Sequence, residues 1–411
     1  MNYQHINKYN YFNILLAFLI IAIITTSVGV LTNEYITKGS FSASSLGYII
    51  SARSFGYLIG AYLSIKLFQK ISYFKIVSFY LLGVSLLMCI LGVSKNLIML
   101  VLIFSLFGIF KNLITVGGNQ ISSDLYKQNV QPNLMNNLQF IYGIGTFISP
   151  LFAGYVLSQK GMSTLIVIFV LLPLVNAFMF MIRKSDISTK KGGKENIIND
   201  KKSNRLIIIL INLFFAFYAG FEIYVGTWGT YVMSSKMHNQ SLVYFCNSVF
   251  WLSLASSKIL FTPFLRFLKK ETHTIYLSII LTIIFTAGYM VTKNDIAILS
   301  IMGGLGFSMG NIVPSTIKYL SATNKVSSAE TAWCFVGAGI GGMIFSKMYG
   351  NLLETNIQNS FLFGFLQLFA ITVIFILLST RKNNIRQKET EKITFFSYSI
   401  HLKRLRHIKR Y

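Results

Sequence analysis

The chain has 411 residues, of which 54% are hydrophobic and only 12% charged, about half the charged share of an ordinary soluble domain. Against that apolar bulk stand 37 Lys+Arg and 12 Asp+Glu, a formal net charge of +25. This combination excludes disorder, collagen-like sequence, a coiled coil and a disulfide scaffold, and leaves either a basic nucleic-acid binder or a polytopic membrane protein.

A membrane-crossing helix needs about 20 mostly apolar residues. Twelve such runs follow one another, near 12–32, 45–65, 77–94, 97–121, 137–158, 162–182, 206–232, 241–265, 274–292, 296–317, 331–352 and 360–380. The first follows a single Lys and shows no small-residue cleavage site, so it reads as a retained span and not a leader. With the N-terminus inside, 28 of the 37 cations fall in segments on one side of the spans. Five lie on the other side (Lys38, Lys95, Lys160, Lys236 and Lys293), and Arg53, Lys111, Lys258 and Lys347 lie within spans. Basic residues stay on the cytoplasmic side, so both termini are expected in the cytoplasm, in a plasma or inner membrane. Topology accounts for the charge, and the bilayer takes the place of nucleic acid as the expected partner.

The pattern predicts an all-α membrane protein of twelve transmembrane helices in two pseudo-symmetric six-helix bundles. The first bundle would occupy 1–182 and the second 206–380, joined by the basic linker 183–205, with its Lys-Lys-Gly-Gly-Lys run, and followed by the basic tail 381–411. An internal echo supports the division. Gly143, Gly145 and Gly154 in span 5 recur 196 residues later as Gly339, Gly341 and Gly350 in span 11. Gly118-Asn119 in span 4 recurs 192 residues later as Gly310-Asn311 in span 10. Repeats of this kind build many transporters, with the substrate site near the midplane between them. Gly56–Gly60, Gly306–Gly310 and Gly337–Gly341 are small-xxx-small faces at which helices approach closely. Cys89, Cys246 and Cys334 fall in apolar spans, without disulfide or metal spacing, and read as small core residues.

Ionisable residues inside a span are costly and usually face a partner or a wet cavity. Glu222 is the one carboxylate deep within a span. On a regular helix Gly226 and Gly229 share its face, while Tyr224, Trp228 and Tyr231 form a second stripe. Glu222 and Trp228 then share a cavity only if the glycines loosen the helix. Polar stripes run along span 4 (Asn112, Thr115, Asn119), span 5 (Gln139, Tyr142, Thr146, Ser149) and span 10 (Ser308, Asn311, Ser315). Such stripes line an aqueous path suited to a polyhydroxylated solute, or make interhelical hydrogen bonds. Arg53, Lys258 and Lys347 are near enough to span ends to snorkel. No Gly-x-x-x-x-Gly-Lys-[Ser/Thr] loop is present, so no nucleotide is expected. Five His, three Cys and few acids offer no metal or hydrolase constellation, and neither an enzyme nor a bound cofactor is expected.

Several pieces, in order across the spans, resemble the major facilitator superfamily, and within it the branch of sodium-dependent glucose transporters and fucose permeases. They are Ser51-Ala52-Arg53-Ser54-Phe55-Gly56-Tyr57-Leu58-Ile59-Gly60, Gly117-Gly118-Asn119, Gln139-Phe140 before Gly143-x-Gly145, and Ser149-Pro150. Gly220-x-Glu222 with Trp228 and Tyr231, and Ser248-Val249-Phe250-Trp251, complete the set. The resemblance implies a sugar carrier working by alternating access, many members coupling a cation. It places Asn119, Gln139, Glu222 and Trp228 on the central cavity. The sequence departs from the family at Gln69-Lys70, where Asp-Arg is usual, and at Thr115, where related permeases carry an acid. Ser257-Lys258 stands for Gly-Arg, and Ser346 for a proline. These departures leave Na⁺ coupling, H⁺ coupling and uniport all open.

The sequence therefore predicts a monomeric carrier of a sugar or similar small polar solute. Its expected substrate-binding residues are Asn119, Gln139, Glu222, Trp228, Trp251 and Asn311, with Glu222, Arg53 and Lys258 in coupling or gating. The alternatives are another organic solute, or a non-transporting receptor or scaffold that keeps the fold.

Overall fold

The computed structural model describes residues 8–68, 71–94, 96–127, 134–182, 205–268, 271–321 and 328–380. The linker 183–204, the tail 381–411 and the pair Gln69-Lys70 lie outside these residues. In a bilayer every backbone N–H and C=O must be satisfied within its own segment or a closed barrel, and the described residues are helical apart from short turns. In chain order they are α1 (Lys8–Thr37), α2 (Ala43–Leu67), α3 (Tyr73–Val93) and α4 (Leu97–Lys127). The run Leu134–Ile182 breaks at Gly161, whose φ of 80° and ψ of 175° interrupt the helix, giving α5 (134–160) and α6 (162–182). Only glycine adopts that backbone without strain. The second half holds α7 (Arg205–Ser234), α8 (Gln240–Leu268), α9 (Glu271–Val291), α10 (Asp295–Leu320), α11 (Ser328–Thr355) and α12 (Ile357–Thr380).

Among the described residues eight helical stretches are long and apolar enough to cross a membrane by themselves, one of them containing both α5 and α6. Helices α2, α8 and α11 contribute no such stretch among the described residues. All three also meet the other half of the molecule, α2 packing on α11 and α8 on α5. Short loops turn the chain at the face opposite the termini. There the side chains of Ser42, Asn96, Asn239, Asn294 and Asn356 accept from the first-turn N–H groups of α2, α4, α8, α10 and α12, each cap worth roughly 1 kcal/mol. Lys236, also at this far face, donates to the Tyr289 and Met290 carbonyls at the end of α9, the latter at 3.1 Å. Burial, and secondarily Lys293, pushes its pKa down to about 8.

The halves repeat their packing as well as their helix count. A methyl group added at Gly56 would overlap the Ser105 carbonyl, and one at Gly108 the Arg53 carbonyl, so α2 and α4 run backbone to backbone. Gly306 and Gly310 stand in the same relation to the Phe250 and Leu254 carbonyls, between α10 and α8. The 196-residue echo has a common meaning. Gly145 packs on Leu19 of α1, and Gly341 on Ala216 of α7, each inside its own half. Gly143 and Gly154 meet Ala255 and Tyr244 of α8, while Gly339 and Gly350 meet Leu58 and Ala43 of α2, each across the seam.

Cys246 is buried as expected, but Cys89 is exposed on the outward face of α3, where a small apolar thiol suits the lipid-facing surface as well as the core.

Overpacking a tight core typically costs about 1–3 kcal/mol. Gly56→Val should therefore destabilise the protein by at least about 2 kcal/mol, read as a lower melting temperature in detergent. Gly229→Ala, whose added carbon would meet nothing nearer than 3.8 Å, should leave that temperature unchanged. Equal melting temperatures for the two variants would contradict the packing described.

Candidate functional site

A cavity of about 850 Å³ lies between the halves. Its first-half wall carries Arg53 and Tyr57 of α2, Lys111 of α4, and Gln139, Tyr142 and Thr146 of α5. Its second-half wall carries Glu222 and Thr227 of α7 and Trp251 and Lys258 of α8, with Ala338, Gly339 and Gly342 of α11 closing one side.

The geometry of α7 decides what Glu222 faces. The helix is regular to Ile223, widens to a π-turn over Tyr224–Trp228, and becomes regular again from Gly229. Such π-bulges concentrate at functional sites. Gly226, inside the turn, leaves the space that the Trp251 ring occupies. Glu222 thus opens on the cavity beside Trp251. Trp228 turns the other way and is wholly buried. Tyr224 joins it in the second-half core, stacked on Tyr349 at 4.2 Å and bonded to Ser360 at 3.0 Å.

The cavity brings together Gln139, Glu222, Trp251, Arg53 and Lys258 of the residues singled out from sequence. Asn119 joins through Gln139, whose Nε2 donates to its Oδ1 at 3.5 Å. Trp228 and Asn311 are not on the wall. Asn311 sits 3% exposed where α10 is interrupted. Of the polar stripes, that on α5 reaches the cavity through Gln139, Tyr142 and Thr146, while Ser149 bonds Ser27 of α1 at 2.8 Å. On α10, Ser308 accepts from Thr282 at 2.9 Å, an interhelical bond.

Two wall residues escaped the sequence reading as site residues. Lys111 had its signal in being one of four cations within spans; Tyr57 had its in standing four residues beyond Arg53, on the same helix face. Arg53 does not snorkel. It is 9% exposed and donates to the Thr25 carbonyl of α1 at 3.2 Å. Lys111 lies 5.4 Å from the Tyr57 ring centre and within electrostatic reach of both Arg53 and Glu222. Among the described residues the one ion pair within 4 Å is Lys38–Glu34, so the cavity charges stand apart from one another.

The two ends of the seam differ. At the far face the start of α2 is clasped by α11. Ser44 N–H donates to Glu354 Oε2 at 2.8 Å and its hydroxyl to Asn351 at 2.7 Å. Lys347 does not snorkel either; it donates to the Ser44 carbonyl at 3.0 Å and lies over the Tyr48 ring at 3.6 Å. Ser234 of α7 donates to Asn33 of α1 at 2.7 Å. At the end bearing the termini no hydrogen bond joins described residues of opposite halves, and Asn136, Gln139 and Lys258 are exposed. Among the described residues the seam is clasped at the far face and not at the other.

Two six-helix halves around a central polar cavity that is shut at one end form the architecture of an alternating-access carrier. The sequence profile of the Major Facilitator Superfamily matches residues 11–346. The chain belongs to that superfamily, and is a transporter and not an enzyme. It is 22% identical over 378 residues to human sodium-dependent glucose transporter 1, spanning 82% of this chain and 72% of the relative. It is 24% identical over 354 residues to mouse sodium-dependent glucose transporter 1A, spanning 75% and 81%. In fold it is similar to the nucleoside transporter NupG, with a TM-score of 0.71, 13% identity and coverage of 89% and 98%. It is also similar to a bacterial homologue of the human lysosomal transporter Spinster in an inward-facing, occupied conformation, with a TM-score of 0.69, 13% identity and coverage of 90% and 95%.

Lys347→Ala removes the ammonium that clasps Ser44 and covers Tyr48. A loss of about 1 kcal/mol, ordinary for one net hydrogen bond, shifts a two-state population about fivefold. An impermeant maleimide added at the far face should label a cysteine placed at Thr26 about fivefold faster in this variant. An unchanged rate would remove the clasp from the gating equilibrium.

Proposed function

We propose that the chain carries a sugar or similar small polar solute across a plasma or inner membrane by alternating access, with both termini and the open end of the cavity in the cytoplasm. The observation that carries this reading is Glu222, the one carboxylate deep in a span, facing a cavity of about 850 Å³ lined with hydroxyls, amides, cations and an indole. The volume falls in the usual range for a small-molecule site. The names of the curated relatives, sodium-dependent glucose transporters, agree with it. The orientation rests on 28 cations on the termini-bearing side against five on the other. In this reading Glu222 is the solute or coupling carboxylate, and Na⁺ or H⁺ is the coupling ion where there is one. Gln139 and Asn119 donate and accept toward the solute near the cytoplasmic mouth, Trp251 offers a flat face to a sugar ring, and Arg53 and Lys258 serve the gating cycle. Trp228 and Asn311 take structural parts, supporting α7 and α10 from behind the wall. The carrier works as a monomer, since each chain encloses a complete cavity.

Proteoliposomes loaded with labelled hexoses, with and without an imposed Na⁺ or pH gradient, test the proposal. Uptake is expected, and Glu222→Gln should lower it at least about tenfold or abolish its ion dependence, the scale for removing a charged contact made during turnover. Unchanged uptake and ion dependence would strike Glu222 from the mechanism. No uptake of any solute would favour a receptor or scaffold.

A further inference from the structure

The charges on the cavity wall do not cancel. Arg53 and Lys111 project into it from the first half, and among the described residues the one carboxylate on the wall opposite them is Glu222. Arg53 has five N–H donors and a single hydrogen bond among the described residues, to the Thr25 carbonyl. Lys111 has the Tyr57 ring at 5.4 Å and no acceptor within hydrogen-bond distance among the described residues. A buried cation without a counter-charge is expensive, and a guanidinium with unused donors is a ready fork for an oxyanion. If Glu222 served only to neutralise Lys111, the two would be in contact; they are not.

We propose that the solute is an anion: a small polyhydroxylated molecule bearing a carboxylate or a phosphate, held by Arg53 and Lys111, with Glu222 and Gln139 receiving its hydroxyls. This rests on the transport reading above and narrows it. One unit of negative charge brings the wall to neutrality, whereas a neutral hexose would leave a cation unmatched in the membrane interior. Glu222 in turn disfavours a solute whose charge is spread along its length, so the acid group belongs at one end. The Trp251 ring, between the glycine of the α7 π-turn and the cavity, is left to the apolar face of the solute.

The experiment compares D-glucose, D-glucuronate and D-glucose 6-phosphate in two assays on the full chain. One is counterflow in proteoliposomes; the other is quenching of tryptophan fluorescence in detergent, assigned to Trp251 among the three tryptophans by its loss in Trp251→Phe and requiring no transport. At least one of the anions should be favoured over glucose by about tenfold or more, the scale of a single charge-assisted contact. Favouring of glucuronate identifies a carboxylate site, and favouring of the phosphate a phosphoryl site. Arg53→Gln, and separately Lys111→Gln in case the first does not fold, should each shrink the anion-to-glucose ratio about tenfold, with Arg53→Lys restoring part of it. Glucose equal to or better than both anions, or a ratio untouched in both Gln variants, overturns the inference while leaving sugar transport intact. Anion-selective quenching with no counterflow of any compound would keep the charge assignment and defeat the transport reading.

Discussion

Backbone-to-backbone contact between helices is the constraint on which the rest of the structure depends. Inside lipid there is no hydrophobic force to drive helices together, so close packing must supply the adhesion. Here it does so at glycines, where α2 meets α4, α8 meets α10, α1 meets α5 and α7 meets α11. With these contacts each half becomes a stiff body, since a carbonyl seated against a bare Cα leaves no room to slide. Polar groups that cannot face lipid then have only the seam between the halves to occupy. That is where Arg53, Lys111, Gln139 and Glu222 are found.

The seam itself is built to come apart. Its far end is closed by a few hydrogen bonds among partly exposed groups, Ser44 with Glu354 and Asn351 and Lys347 reaching back over Tyr48. Each such bond is worth only about 1 kcal/mol net, because water replaces it when the end opens. A clasp of this strength biases a rigid-body rocking without locking it. The glycines that face across the seam, Gly143, Gly154, Gly339 and Gly350, make the same allowance: their partners are mostly side chains such as Tyr244 and Leu58, which can repack as the halves turn.

Much of this was legible in the sequence, for definite reasons. Twelve apolar runs, the one-sided cations and the small-xxx-small faces are periodic or compositional signals, and those survive whatever the side chains do. The halves were read from six apolar runs on either side of the basic linker, with the glycine echo in support, and the structure gives that echo its cause, since equivalent glycines make equivalent contacts. What could not be read was orientation. The expected face of Trp228 assumed a regular or merely loosened helix; the π-turn at Tyr224–Trp228 shifts everything after it, and Trp228 enters the core while Glu222 keeps the cavity. Lys347 and Arg53 were equally able to snorkel or to cross to a neighbour. Nothing local in the sequence says that Ser44 and Thr25 wait within reach. Asn311 repeats Asn119 in sequence but sits where α10 breaks, so the same residue that joins Gln139 in one half is buried at a helix interruption in the other.

That asymmetry between the halves has a consequence for how the carrier does its work. In the first half the stiff α2–α4 pair holds two cations at the wall; in the second, α7 holds the acid just ahead of its π-turn. A solute in the cavity touches both, so it can neutralise charge on one half only by drawing the other toward it. The unmatched charge is an expense of the empty state, of the kind natural proteins tolerate at sites and compensate elsewhere. Here the compensation is the backbone packing behind the wall. Without α2 and α4 pinned together at Gly56 and Gly108, Arg53 could relax along its helix toward the interface. The uncancelled charge would then no longer be held where a ligand can use it.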